Sequence, residues 1–118
     1  MEKQVLAAAS FETQKYFFSP EFLGVPEEIQ EEIRMVCVLT AEKLKCSFII
    51  GFEENGTVYF ETVRPEDEFN FDEIGAELEI KQLQRTKREL WKALQLWYVV
   101  FCTEEGKDMA KEILSKQK

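Results

Sequence analysis

The stretch Asn70 to Cys102, NFDEIGAELEIKQLQRTKRELWKALQLWYVVFC, carries the strongest helical pattern of the chain. Asn70 can act as an N-cap residue, and Glu73 follows it three residues later, as in a capping box. Phe69 and Ile74 occupy the two positions of a hydrophobic staple. Because no proline interrupts the stretch, the sequence predicts one continuous helix from about residue 71 to residue 102.

Apolar residues recur along this helix at alternating steps of four and three residues, which is the spacing of one buried face. A straight helix of about 32 residues is roughly 48 Å long, whereas a compact chain of this size has a radius of gyration of about 13 to 14 Å. Such a helix would overhang its own domain and need another chain to cover it. The sequence therefore predicts a protein-interaction module, a homodimer or a subunit of a small complex with another protein, whose interface contains five residues of the stripe. They are Leu83, Leu90, Leu94, Trp97 and Phe101.

Charge changes sign along the predicted helix, because an acidic beginning is followed by a basic middle. The basic residues are Lys81, Arg85, Lys87, Arg88 and Lys92. One interpretation is solubilising charge that complements the helix dipole. The other is a register signal, since an antiparallel partner helix would place acidic residues against basic ones.

The composition predicts one folded domain over residues 1–118. Hydrophobic residues make up 45% of the chain, so a disordered state is disfavoured despite the charge. The formal net charge of -8 disfavours nucleic acid and anionic membranes as partners, because both would repel the protein. The first residues lack the apolar length of a signal peptide, and no segment approaches a membrane span. We therefore expect a soluble, cytoplasmic protein that associates with itself.

Two strand pairs and one helix precede the long helix. Residues 5–10 and 15–18 predict a first hairpin, although a short helix through Leu6 to Ala9 is an alternative because alanine is a weak strand former. A helix is predicted over about residues 26–45, where acidic residues follow Pro26. Residues 46–52 and 57–63 are rich in aromatic and β-branched residues, and Asn55-Gly56 between them predicts a type I′ turn.

The order of these elements predicts the fold class. A short last helix would follow the long one, since Met109, Ile113 and Leu114 have helical spacing. Strand, strand, helix, strand, strand, helix, helix is typical of an α+β domain. We expect a small antiparallel sheet of three or four strands with the helices packed on one face.

The chain contains no histidine, and this absence disfavours catalysis. Histidine is the usual general base near neutral pH and the commonest metal ligand. The five glycines never cluster, so no phosphate-binding loop is indicated and no cofactor is expected. The three cysteines lie in apolar contexts and are predicted to be reduced, buried thiols; Cys46 could be reactive, but a core position is favoured. We predict that the protein is not an enzyme.

Two acidic clusters are candidate metal sites. Glu27, Glu28, Glu31 and Glu32 form i,i+4 carboxylate pairs, which a solvated helix face explains better than a bound cation. The acidic residues between 66 and 73 lack the spacing and the glycine of a calcium loop. No metal site is predicted.

A second function remains open from the residues alone. The sheet and the predicted helix around Met35 to Leu39 could enclose an apolar pocket for a small ligand, lined by Phe48, Phe60 and the aromatic residues of 16–18. The chain would then be a ligand-binding or regulatory domain.

Five segments of the chain carry a resemblance to a known group of proteins. They are Gln14-Lys15-Tyr16-Phe17-Phe18, Pro20-Glu21-Phe22, Met35-Val36-Cys37-Val38-Leu39, Asp72-Glu73-Ile74-Gly75 and Lys87-Arg88-Glu89-Leu90. In these segments the chain resembles small acidic cytosolic proteins of low-GC Gram-positive bacteria, which are grouped as a domain of unknown function. The resemblance implies a stand-alone bacterial protein, and it brings no catalytic residue.

Overall fold

Four strands and three helices form in the order that the sequence predicts, in a computed structural model that describes residues 3–65, 71–103 and 108. The strands are β1 (Gln4–Ser10), β2 (Lys15–Phe18), β3 (Ser47–Phe52) and β4 (Val58–Val63). The helices are α1 (Glu27–Leu44), α2 (Glu73–Thr86) and α3 (Arg88–Cys102), with a 3-10 turn at Pro20–Phe22. The α+β class and the order ββαββαα are confirmed, although α2 and α3 both lie within the stretch predicted to be one helix.

The strands form one antiparallel sheet in the order β2-β1-β3-β4. Residues directly opposite each other point to the same face, so Ala9, Phe48 and Thr62 share the inner face while Ala8, Ile49 and Glu61 share the outer one. The register of β1 against β3 shifts between Val5 and Ala7. This bulge lets Leu6 join the core while the rest of β1 keeps its alternation.

The predicted N-terminal hairpin is confirmed, and the alternative helix through Leu6 to Ala9 is wrong. Strand β1 is one of the two central strands, and α1 packs against its inner face. Ala7 and Ala9 are buried at this contact. Packing against a helix thus overrides the weak strand propensity of alanine, because small side chains let the two elements approach closely.

Helix α1 lies within one residue of its predicted bounds at each end. It begins after Pro26 and ends where Lys45 adopts a left-handed conformation with φ 55°. Ile33, Val36 and Cys37 face the sheet and are buried. The helix therefore covers β1 and β3, the two central strands.

The second predicted hairpin is confirmed, but its turn differs from the predicted type I′. Gly56 has a φ of 89°, whereas Asn55 does not have a positive φ, which a type I′ turn would require. The amide of Gly56 donates to the carbonyl oxygen of Glu53 at 2.8 Å, and the amide of Glu53 donates to the carbonyl oxygen of Thr57 at 2.8 Å. The loop is longer than the two residues that the Asn-Gly pair suggests.

The single helix predicted over 71–102 is wrong, because the chain forms two helices that are separated at Lys87. Lys87 has φ and ψ of -109° and 28°, outside the helical range. The carbonyl oxygen of Leu83 accepts two hydrogen bonds at 2.9 Å, from the Lys87 amide and from the indole nitrogen of Trp91. Thr86 also donates its hydroxyl to the Gln82 carbonyl at 2.9 Å. Side chains that bond to helix carbonyls in this way bend helices.

The cap of α2 also differs from the prediction. Asp72, rather than Asn70, is the N-cap, and its carboxylate accepts a hydrogen bond of 2.8 Å from the amide of Gly75. Ile74, one of the two residues of the predicted hydrophobic staple, is 74% exposed. Phe69 and Asn70 lie outside the described residues, as do the acidic residues 66–68 and the last helix predicted around Met109 to Leu114.

All three helices lie on the inner side of the sheet, where the core forms. Helix α1 covers the central strands, and α3 packs against the edge strand β4. The amide of Val58 donates to the side-chain oxygen of Gln95 at 3.0 Å, which links the edge of β4 to α3. In the described part of the chain the outer face of the sheet has no helix over it, so the domain has two layers.

Candidate functional site

The five residues predicted to form an interface divide into two groups. Leu83, Leu90 and Leu94 are buried in the core of the chain itself, where they pack with the inner face of the sheet. Trp97 is half-buried, and Phe101 is 56% exposed. One helical stripe therefore begins inside the domain and emerges from it at the end of α3. The interface stays a prediction, and its surface-accessible part is Trp97 and Phe101.

A row of aromatic rings connects the core to this end of α3. Phe52 and Phe22 are buried, with ring centroids 5.3 Å apart. Phe22 meets Trp97 edge-on at 6.0 Å, and Trp97 contacts Phe101 at 5.5 Å. Each ring fixes the next one, so the exposed ring of Phe101 rests on a rigid support.

Leu23 is an exposed apolar residue of the loop beside Trp97. It follows Phe22, whose ring contacts Trp97, and it precedes Gly24, where an added Cβ would lie 3.4 Å from the Trp97 ring. The side chain of Leu23 is 62% exposed. We call Leu23, Trp97 and Phe101 the terminal patch. Leu23 is not among the predicted interface residues, because it lies in a loop where no periodicity signals its position.

The surroundings of the terminal patch on α3 carry no charge. From Leu96 to Cys102 the sequence is LWYVVFC, with no acidic or basic residue in seven positions. Both Trp97 and Phe101 belong to this segment. A partner that meets the patch would therefore be held by apolar and aromatic contacts.

The basic residues of the long stretch have two different roles. Lys87, at the break between α2 and α3, forms an ion pair with Glu32 of α1 at 3.2 Å. A second ion pair joins Lys43 of α1 to Glu79 of α2 at 2.7 Å. These two pairs connect α1 to the C-terminal helices, so part of the predicted charge pattern serves contacts inside the chain.

The other four basic residues lie on the outward side of α2 and α3. They continue a line of exposed residues at steps of three and four, which we call the outer stripe. It consists of Ile74, Leu78, Lys81, Arg85, Arg88, Lys92, Leu96 and Val99. The amides of Lys87 and Trp91 donate to residues four positions earlier, so the helical repeat continues across the break. The outer stripe is apolar at both ends and basic in the middle.

Tyr16 is the most unusual polar side chain of the core. Its hydroxyl is buried and has no hydrogen-bond partner among the described residues. Burial raises the pKa of Tyr16 to about 12, with a further contribution from the neighbouring Cys37. The hydroxyl therefore stays protonated at neutral pH, but it donates its proton to no acceptor among the described residues.

The buried cysteines are not suited to nucleophilic chemistry. Burial raises the pKa of the Cys37 thiol to about 12 and that of the Cys46 thiol to about 11. The thiol of Cys37 donates to the carbonyl oxygen of Phe48 at 3.3 Å. The prediction of three buried thiols is correct for these two residues and wrong for Cys102, which is exposed because α3 has left the core at that point.

The acidic residues at the start of α1 do not converge on a metal position. Glu31 pairs with Arg34, and Glu32 pairs with Lys87. Within residues 3–65 and 71–103, no three side chains of the types that bind metals come together. The prediction that the protein binds no metal or cofactor stays a prediction.

Aromatic rings fill the part of the predicted small-ligand pocket around Phe48 and Phe60, whereas two hollows of about 680 and 220 Å³ lie between Tyr16 and α1. Phe48 is fully buried and stacks on Phe60 at 6.1 Å, and Phe60 contacts Trp91 at 4.8 Å. A further hollow of about 580 Å³ lies on the outer face of the sheet. Its floor contains Ala8 and Ile49, and its sides contain Phe17 and Val63. Ligand binding stays a prediction, and the residues named for it do not line this hollow apart from Tyr16 and Phe17.

The described structure is thus a two-layer α+β domain with exposed helical surfaces, and the comparisons assign its family. A family model described as a family of unknown function, DUF6145, matches residues 3–106, so the chain belongs to that family. The resemblance to a domain of unknown function is confirmed. Searches of curated proteins and of solved structures found no match. Among the described residues, no helix has the length and apolar character needed to cross a membrane.

Proposed function

We propose that this chain is a protein-interaction module that forms a homodimer, in which a second copy covers the terminal patch. The observation that supports this proposal is the course of the stripe from Leu83 to Phe101, which is buried at its beginning and 56% exposed at Phe101. An aromatic ring held rigidly at the surface is typical of an interface anchor.

The chemistry of the terminal patch suits a second copy of the same chain. Each copy has a formal charge of -8, so two copies repel each other over most of their surfaces. The seven uncharged positions from Leu96 to Cys102 offer an apolar contact area on an otherwise acidic chain. In a two-fold arrangement the same patch contacts itself, and Phe101 of each copy can pack on Trp97 of the other.

Light scattering over a dilution series tests the proposal. Twice the chain mass of 13.9 kDa is about 28 kDa, and we expect that mass to persist down to about micromolar concentrations. Because the contact is apolar, raising the salt concentration should not dissociate the dimer. A mass of one chain at every concentration would overturn the proposal.

A pair of matched variants locates the contact. Phe101→Lys places a charge in the terminal patch, whereas Phe17→Lys makes the same change at a phenylalanine of similar exposure, 51% against 56%, on the outer face of the sheet. We expect Phe101→Lys to be monomeric and Phe17→Lys to remain dimeric. If Phe17→Lys dissociates the dimer and Phe101→Lys does not, the copies associate through the sheet, and the terminal patch is not the interface.

A further inference from the structure

The outer stripe is a second surface, and its charges have no acidic partner inside the described chain. Between Ile80 and Lys92 the sequence has five basic residues and one acidic residue, Glu89. Lys87 is paired with Glu32. The remaining four basic residues form no ion pair in the segments that the structure describes. They are Lys81, Arg85, Arg88 and Lys92.

The four basic residues are evenly spaced and exposed. They follow one another at steps of four, three and four residues, so they occupy about 16 Å of one helical face. In a chain with a formal charge of -8, a row of four cations is a local reversal of the mean charge. Such a reversal attracts an anionic group that is short enough to avoid the acidic surfaces around it.

The apolar ends of the outer stripe restrict the kind of anion. Ile74 and Leu78 are exposed at one end, and Leu96 and Val99 are exposed at the other. A partner that covers the whole stripe must offer apolar groups at both ends and carboxylates in the middle. An amphipathic helix can present both on one face, because residues at steps of three and four line up.

We propose that the outer stripe binds an acidic amphipathic α-helix of another protein, with carboxylates opposite its four cations and apolar side chains opposite its two ends. This surface is separate from the terminal patch, so the proposal does not depend on dimer formation. Leu96 and Val99 lie about 100° to 160° around α3 from Trp97 and Phe101, since each residue turns the helix by about 100°.

A second copy of this chain is a poor occupant of the outer stripe. A symmetric antiparallel contact centred on the stripe would place Lys81 opposite Lys92 and Arg85 opposite Arg88. Four cations of one copy would then face four cations of the other, which is destabilising. A nucleic acid or an anionic membrane is also disfavoured, because the net charge of -8 repels both and a phosphate backbone offers nothing to the apolar ends.

Fluorescence anisotropy with a designed peptide tests the proposal. The probe is a labelled alanine- and glutamine-based helix of about 26 residues, the length from Ile74 to Val99, with four glutamates in the middle of one face and two leucines toward each end. We expect binding at about 50 mM NaCl that weakens about tenfold at about 500 mM NaCl, since exposed ion pairs are screened. A matched peptide with glutamine in place of the four glutamates should bind at least about tenfold more weakly.

Two fourfold variants with the same net charge distinguish peptide binding at the outer stripe from an effect of the protein's net charge. The first carries Lys81→Gln, Arg85→Gln, Arg88→Gln and Lys92→Gln. The control carries Lys3→Gln, Lys15→Gln, Arg34→Gln and Lys45→Gln, all at exposed positions outside α2 and α3. We expect the first variant to bind the acidic peptide about 10- to 30-fold more weakly and the control to change by less than about threefold.

Three results would overturn the proposal. Equal losses in both variants would mean that net charge, and not the outer stripe, attracts the peptide. Equal binding of the glutamine peptide would mean that the four cations are not used. Tighter binding of a double-stranded DNA or of phosphatidylglycerol vesicles than of the peptide, lost in the first variant alone, would assign the stripe to phosphate.

Circular dichroism and thermal unfolding confirm that both variants fold before binding is measured.

Discussion

Replacing Tyr16 with phenylalanine should stabilise the protein, although most substitutions of core residues destabilise. The hydroxyl of Tyr16 is buried and has no hydrogen-bond partner among the described residues. A buried polar group without a partner costs about 1 to 3 kcal/mol, and removing the oxygen from Tyr16 relieves that cost. The small void that it leaves offsets part of the gain. We expect Tyr16→Phe to raise the free energy of unfolding by about 1 kcal/mol, or Tm by about 4 °C.

The advantage of Tyr16→Phe should grow at alkaline pH. Burial raises the folded-state pKa of Tyr16 from 10.0 to about 12, so the stability that depends on its neutral form is complete below about pH 10 and is lost as the pH rises toward about 12. Phenylalanine cannot ionise and loses nothing there. At about pH 10.5 the difference between the two proteins should increase by a further ~0.5 kcal/mol, after a reduction for solvent that reaches part of the side chain.

Urea-induced unfolding followed by circular dichroism at about pH 7 and about pH 10.5 measures both effects. The control is Tyr98→Phe, since the hydroxyl of Tyr98 is not one of the buried atoms without a partner. We expect that substitution to change stability by less than about 0.5 kcal/mol. Destabilisation by Tyr16→Phe at about pH 7 would show that the hydroxyl is bonded and would refute the reasoning. A difference that does not grow with pH would show that Tyr16 ionises normally in the folded state.

Three further substitutions test the packing of α3, each by urea unfolding against the wild-type chain. Gln95→Leu removes the acceptor of the Val58 amide and should cost about 1 to 2 kcal/mol; a neutral result would mean that this amide finds another acceptor. Gly56→Ala should cost more than about 1 kcal/mol, because φ is 89° and the new Cβ would lie 2.7 Å from the Tyr98 ring. Leu94→Ala at a fully buried position should cost about 3 kcal/mol, and a loss below about 1 kcal/mol would contradict its place in the core.

The elements with strong local signals were predictable from the sequence. Alternating aromatic and β-branched residues identified β3 and β4, and the acidic residues after Pro26 marked the beginning of α1. The break at Lys87 was not predictable in the same way. It depends on the indole of Trp91 reaching the Leu83 carbonyl and on Lys87 reaching Glu32 of α1. The second contact spans 55 positions in sequence, and helical spacing says nothing about such distant partners.

The sequence predicts which residues of the candidate site share one side of a helix, but not which of them reach the surface. Helical periodicity correctly groups Leu90, Leu94, Trp97 and Phe101 on one side of a helix. It cannot show where along that side the domain ends, because this depends on how far β4 and the Pro20–Phe22 turn extend beneath α3. Burial therefore changes from complete at Leu94 to slight at Phe101 without any change in the sequence pattern.

The placement of the two tryptophans gives the protein two built-in optical reporters. Both tryptophans of the chain lie on α3, and their surroundings differ. Trp91 is buried with its indole bonded to the Leu83 carbonyl, so its emission should report the junction between the helices and stay blue-shifted until the domain unfolds. Trp97 sits beside the exposed ring of Phe101, so its emission should shift when another molecule covers that end. Replacing one tryptophan at a time would let unlabelled protein report folding and association as separate signals.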